Sequence, residues 1–218
     1  MARSRDISKV LSSNTTLATD AEVAAFNYLT QASASTVYQT KASAGLTLLT
    51  PTSIAATGGS GSISTNGAVS FTSASAISLN GVFSSTYDFY TIQVRAVNSS
   101  NTQTFNWRWR ASGSDLTASN YYHARTSTST GGSVTGAGAG ATTTATIGQI
   151  ATGMGFFTVF AAYTQTEPRL NGNSYNSELS GLTTFASGYR ATQVTDGFTI
   201  YPSSGTITGK VSVYGYNE

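Results

Sequence analysis

The stretch TFNWRWRA, residues 104–111, alternates without a break: Phe105, Trp107 and Trp109 fall on one side of an extended chain, and Asn106, Arg108 and Arg110 on the other. Successive side chains of a β-strand point to opposite faces, so this period of two marks a half-buried strand. Just upstream, Tyr90, Ile92, Val94 and Ala96 alternate with Thr91, Gln93 and Arg95. Asn98-Ser-Ser-Asn101 between the two segments has turn composition, so they are expected to form a hairpin. Ser75–Phe83, Phe156–Tyr163 and the segments around Phe198, Ile200, Ile207, Val211 and Val213 read as further strands, with a turn at Pro202-Ser-Ser-Gly205. About eight strands over residues 70–218 predict a mainly β fold, an antiparallel β-sandwich of jelly-roll type. Ser127–Gly140 has Val134 as its sole large apolar residue and reads as an exposed loop.

Composition agrees with sheet. Of 218 residues, 32 are Ser and 36 Thr, and charged residues make up 9%, far below the roughly 25% of an average soluble protein. The solubilising surface is therefore hydroxyl and amide. Net charge is +2, with no basic stripe dense enough to neutralise many phosphates, so nucleic acid is not an expected partner. The chain has no Cys and a single His, His123, which excludes disulfides and multi-His metal sites. Ile147–Tyr163 is apolar but carries Gly148, Gln149, Thr152, Gly153, Gly155 and Thr158; it suits one or two buried strands better than a membrane-spanning helix. Without staples, oligomerisation is the expected source of extra stability.

The N-terminal part follows different physics. Residues 1–41 hold four basic and three acidic side chains, whereas 42–87 hold none. The first nine residues are charged and no apolar run follows, so no secretory leader is expected. Ile7, Val10 and Leu11 share one helical face. Thr19-Asp-Ala-Glu22 has the form of a capping box, followed by Val23 and Phe26 on one face of a short helix over about 20–33. Helices this short need something to dock on. Residues 34–69 are rich in Ser, Ala, Gly and Thr, with Pro51 and Gly58-Gly-Ser-Gly61, and read as a linker or clamped arm. Residues 1–60 are thus expected as an attachment arm, with Arg3, Arg5, Ile7, Val10, Leu11, Val23 and Phe26 as the contact candidates.

Three segments carry a resemblance. MARSRDISKVLSSNTTLATDAEV (1–23) resembles N-terminal segments of tail-fibre and other virion structural proteins of tailed phages, especially those of marine bacteria and cyanobacteria. ISLNGVFSSTYDFYTIQVRAV (77–97) is similar to the opening strands of phage fibre-like β-sandwiches, and GTITGKVSVYGYNE (205–218) to their closing strand. The resemblance implies a homotrimeric virion component with an N-terminal attachment region and a C-terminal β domain. No repeat, coiled coil or collagen-like tract is present, which argues for a short fibre, an adaptor or a capsid decoration (cement) protein rather than a long fibre.

No catalytic motif stands out. The acids beyond the arm are Asp88, Asp115, Glu167, Glu178, Asp196 and Glu218, and no two are spaced to share a strand face. Asp88 and Asp196 read as turn residues. Gly-x-Ser-x-Gly is absent, and neither GGSG (58–61) nor Gly153-Met-Gly155 continues into a phosphate loop. The chain is therefore expected to be non-enzymatic and without cofactor. A polysaccharide-degrading enzyme would need a carboxylate pair assembled through tertiary contact. Trp107-Arg108-Trp109-Arg110 has two readings: a glycan-binding platform, or two core indoles with outward arginines. Phe105 on the same side favours the core, leaving Arg108 and Arg110 as interface candidates. Tyr121, Tyr122 and Tyr175, with Asn171 and Asn173, have the composition of an adaptable recognition surface. A host-surface glycan, a trimer interface and a plain sandwich rim all fit them.

Overall fold

The structure, a computed structural model, describes residues 45–100, 103–150, 152–160, 162–163, 166–176 and 181–216. The expected arm helices and their contact candidates, Arg3, Arg5, Ile7, Val10, Leu11, Val23 and Phe26, lie outside the described residues.

Five short strands come first: β1 (Thr47–Leu49), β2 (Ser53–Thr57), β3 (Ser60–Ile63), β4 (Val69–Ala74) and β5 (Ala76–Asn80). The alternating segments are β6 (Phe89–Asn98) and β7 (Gln103–Ala111), followed by the two-residue β8 (Ser114–Asp115). Then come β9 (Tyr121–Thr128), β10 (Val134–Thr142), β11 (Ala145–Ile150), β12 (Thr152–Phe160), β13 (Arg169–Asn176) and β14 (Gly181–Tyr189). β15 (Gly197–Pro202) and β16 (Ile207–Tyr216) complete the set. No helix occurs among the described residues.

The strands build two antiparallel sheets in a sandwich-like arrangement. The larger runs β10-β9-β14-β13-β12-β6-β16-β4-β3, with β1 also on β16. The smaller runs β11-β7-β15-β5-β2, with β8 on β7. The chain crosses from the larger sheet to the smaller and back five times, the excursions being β2, β5, β7 with β8, β11 and β15.

Alternation decides what fills the space between the sheets. β7 delivers Phe105, Trp107 and Trp109 inward, and β6 delivers Tyr90, Ile92, Val94 and Ala96 from the opposite sheet. Trp107 stacks on Phe198 of β15 with ring centroids 4.2 Å apart, and meets Trp109 edge-on at 5.2 Å. Both indoles are fully buried, so they belong to the core and not to a binding platform. Aromatic burial of this size dominates a core's stability.

Three segments depart from their sequence reading. Asn98–Asn101 does not close a hairpin, because β6 and β7 lie in different sheets. Its neighbourhood is a corner. Ser99 N–H donates to Thr206 O (2.8 Å), and the Asn98 amide donates to Ser204 O (3.2 Å) in the β15–β16 corner beside it. Residues 46–69, read as linker, supply β1, β2 and β3, with Leu49, Ile54, Ala56 and Ile63 packed against the core. Ser127–Gly140 is a hairpin, with β10 pairing β9 at the sheet edge. Gly and Ala give β10 little side-chain signature, and its pairing rests mainly on the backbone ladder, with Thr142 Oγ1 donating to Tyr121 O (3.3 Å) at its end.

Candidate binding face

The arginine-bearing face of β7 is the first place to look for chemistry, and it is occupied internally. The Arg110 guanidinium donates to Asp115 of β8, to the Gly113 carbonyl, to Asn80 Oδ1 (2.7 Å), Ser78 Oγ (3.2 Å) and Thr199 Oγ1 (3.1 Å). Thr199 in turn donates to Asp115 Oδ1 at 2.6 Å. β8 folds over the strand and closes this polar cluster, so Arg110 is buried and is not an interface residue. Arg108 is half-exposed; it lies 5.0 Å over the Tyr201 ring and 3.8 Å from Asp115.

Tyr121 is likewise not a contact residue. It is fully buried, accepts from Trp109 N–H (2.9 Å) and donates to Leu116 O (2.8 Å). Burial drives its hydroxyl pKa strongly upward, so the phenol stays neutral while tying β9 to β7 across the core. His123 is half-buried, with Nδ1 enclosed and without a hydrogen-bond partner. Desolvation, then the nearby Arg125, push its pKa down. Among the described residues, no group of three or more His, Cys, Asp or Glu is placed to hold a metal.

The remaining candidates gather on the outer face of the larger sheet. Along β13, Arg169, Asn171, Asn173 and Tyr175 point outward, while Leu170 and Ser174 point in. The register aligns these with neighbours into cross-strand rows. Tyr175 sits opposite Leu182, and Leu182 opposite Thr128. Asn173 aligns with Thr184 and Thr126; Asn171 with Ala186 and Ala124 on one side, and with Thr158 and Thr91 on the other. Arg169 aligns with Gly188 and Tyr122. The sequence candidates Tyr122, Tyr175, Asn171 and Asn173 are thus brought onto one surface.

Two depressions occupy this surface and share Ala124 and Ala186. One, of 640 Å³, is bordered by Tyr122, Glu167, Arg169 and Arg190. The other, of 530 Å³, is bordered by Thr126, Thr158, Asn171, Asn173 and Thr184. Small residues make the shared floor, so the two join into one shallow groove across four strands. Thr184 Oγ1 donates to Asn173 Oδ1 at 2.8 Å, which leaves the Asn173 amide N–H groups for a ligand. The Asn171 side chain has no partner among the described residues.

Arg190 and Arg169 escaped the sequence reading, and Glu167 entered it only as an isolated acid. Arg169 and Glu167 form an exposed pair at 3.4 Å, and the Arg190 guanidinium lies 3.8 Å from the centroid of the Tyr122 ring. One signal was available: none of the ten strands of this sheet contains Asp or Glu, while Arg95, Arg125, Arg169 and Lys210 all lie in them.

No protein-family profile and no curated protein matches the chain. Among solved structures it aligns with the crystal structure of the botulinum neurotoxin serotype G binding domain at 10% identity and a TM-score of 0.20, over 82% of this chain. The chain spans 45% of the length of that structure. A likeness this slight carries no argument about fold or function.

Proposed function

We propose that this protein is a non-enzymatic structural component of a phage particle, a short tail fibre or fibre-like appendage that meets the host surface through the outer face of its larger sheet. The observation that carries the proposal is the groove across β9, β14, β13 and β12, floored by Ala and Gly and rimmed by Tyr, Asn, Thr and Arg. Surfaces of this composition recognise by hydrogen bonding and stacking, without turnover. The sequence resemblance supplies the setting: residues 1–60 as the attachment arm, other virion proteins as partners, a homotrimer as the assembled form, and the particle surface as the location. The repeated crossing of the chain between the two sheets supports the jelly-roll assignment.

A capsid decoration protein is the second reading. It is favoured by β10, a charge-free edge strand whose side chains from Val134 to Ala141 are all exposed, as a lattice contact would use. Immunogold labelling and copy counting on purified particles separate the two. A few trimers at the tail support the fibre, and hundreds of copies over the head support decoration. Absence from particles overturns both. Sedimentation of the full chain at micromolar concentration tests the trimer, and a stable monomer argues against it.

A further inference from the structure

We propose that Arg190 anchors the carboxylate of an acidic oligosaccharide lying along the outer groove, an inference that rests on reading this face as the recognition surface. Arg190 is held before any ligand arrives. Its guanidinium lies 3.8 Å over the Tyr122 ring, and that ring packs so closely on Gly140 that a Cβ there would come within 2.6 Å of it. A planar fork fixed on an aromatic face loses little freedom on binding and matches a carboxylate in bidentate fashion.

Arg190 also has no acidic partner among the described residues. Arg95 on β6 and Lys210 on β16 also have no acidic partner among the described residues but lie outside the groove lining, whereas the remaining described arginines are engaged. Arg108 and Arg110 face Asp115, and Arg169 faces Glu167. Arg125 lies along the groove but directs its guanidinium at the Gly148 carbonyl, 3.5 Å away. An unpaired cation at the end of a groove, on a sheet whose strands lack any acid, attracts and orients an anion.

Apart from the Arg169–Glu167 pair at the same end, and Arg125, whose guanidinium is turned to Gly148, the rest of the groove lining is neutral. From Arg169 to Asn173 is four residues of strand, about 14 Å. Over that length Asn171, Asn173, Thr158 and Thr184 offer amides and hydroxyls above a floor of Ala124 and Ala186. This suits a chain of sugar rings with hydroxyls along its length and a carboxylate at the Arg190 end. A nucleic acid repeats its charge at every step, which an amide-lined stretch does not match.

Titration calorimetry of the full-length protein against tetramers of three neutral hexoses ending in a single galacturonate, glucuronate, mannuronate or guluronate, each with its methyl ester, tests this directly. Esterification removes the charge and keeps the sugar backbone. At least one acid should bind about tenfold more tightly than its ester. Arg190→Gln should abolish that difference and leave ester binding unchanged. Arg190→Lys should restore it in part. Asn171→Ala with Asn173→Ala should weaken acid and ester alike, and Arg108→Gln on the opposite sheet should alter neither. Equal binding of acid and ester would overturn the carboxylate anchor while leaving the groove as a saccharide site. Failure of every tetramer to bind overturns the acidic saccharide. If the Asn variants also leave attachment of the protein to host cells unchanged, the recognition face falls with it. Tighter binding of a short single-stranded oligonucleotide than of any tetramer would replace the saccharide with nucleic acid.

Discussion

Trp109 lies 5.2 Å from Trp107 and 6.0 Å from Phe83, ring centroid to ring centroid, with its indole Nε1 buried and without a hydrogen-bond partner. Its worth is therefore in packing. Trp109→Ala should lower stability by about 3–5 kcal/mol through the cavity it leaves. Trp109→Phe removes the unpartnered N–H along with part of the volume and should cost clearly less. Chemical denaturation of the two variants checks the order. His123 makes a second residue-scale prediction. Its folded pKa is depressed, so protons bind more readily to the unfolded chain, and stability should fall as pH drops below about 6.5. His123→Gln should flatten the melting temperature between pH 7.5 and 5.5. An equal slope in that variant would place the effect elsewhere. Gly209 is fixed by close approach. A Cβ there would sit 2.0 Å from the Arg95 carbonyl oxygen, in the middle of the larger sheet. Gly209→Ala should destabilise by about 1–3 kcal/mol on overpacking grounds, read as a lowered denaturant midpoint.

At the scale of elements, β8 contributes two residues and yet decides the state of a whole face. Asp115 offsets Arg110, whose side chain is 11% exposed against 22% for Asp115. Removing the acid strands a buried guanidinium, so Asp115→Ala should cost roughly 3 kcal/mol. Replacing both residues by apolar ones should cost less than the single change, which a double-mutant cycle measures. The β7 alternation was legible from residues 104–111 because large aromatics can face only a core. That Arg110 would be buried was not legible, since its partners Ser78, Asp115 and Thr199 come from three separate strands. β10 was illegible for a different reason: VTGAGAGAT has no inside and outside to alternate. β1 to β3 were missed because strands of three to five residues are too short to show a period and are defined by the neighbour they pair with. Tyr122, Tyr175, Asn171 and Asn173 were singled out as residue types, and the register places them on one face. Their assembly with Arg190 depends on register between β9, β13 and β14, which no local pattern encodes.

For the molecule as a whole, the body begins near residue 46, where one compact unit spans Leu46–Glu218. A truncated form of residues 46–218 should fold cooperatively by far-UV dichroism. Residues 65–218 should melt at lower temperature, because they lack β2 at the edge of the smaller sheet, β3 at the edge of the larger, and β1 on β16. Equal melting of the two would show that these strands decorate the sandwich without supporting it.

The position of β16 has a consequence for how the protein is made. β16 lies between β6 on one side and β4 with β1 on the other, and β15 lies between β7 and β5. Residues 197–216 thus form the keystone of both sheets, yet they leave the ribosome after every strand that they join. At roughly 5–20 residues per second, the earlier strands wait through most of synthesis with their mates missing. Such long-range pairing is intrinsically slow to form. The nascent chain must therefore be kept from associating with its neighbours until β15 and β16 emerge. The wealth of Ser and Thr suits a chain that waits in water, and Ile147–Tyr163 is the apolar stretch most in need of cover while it does.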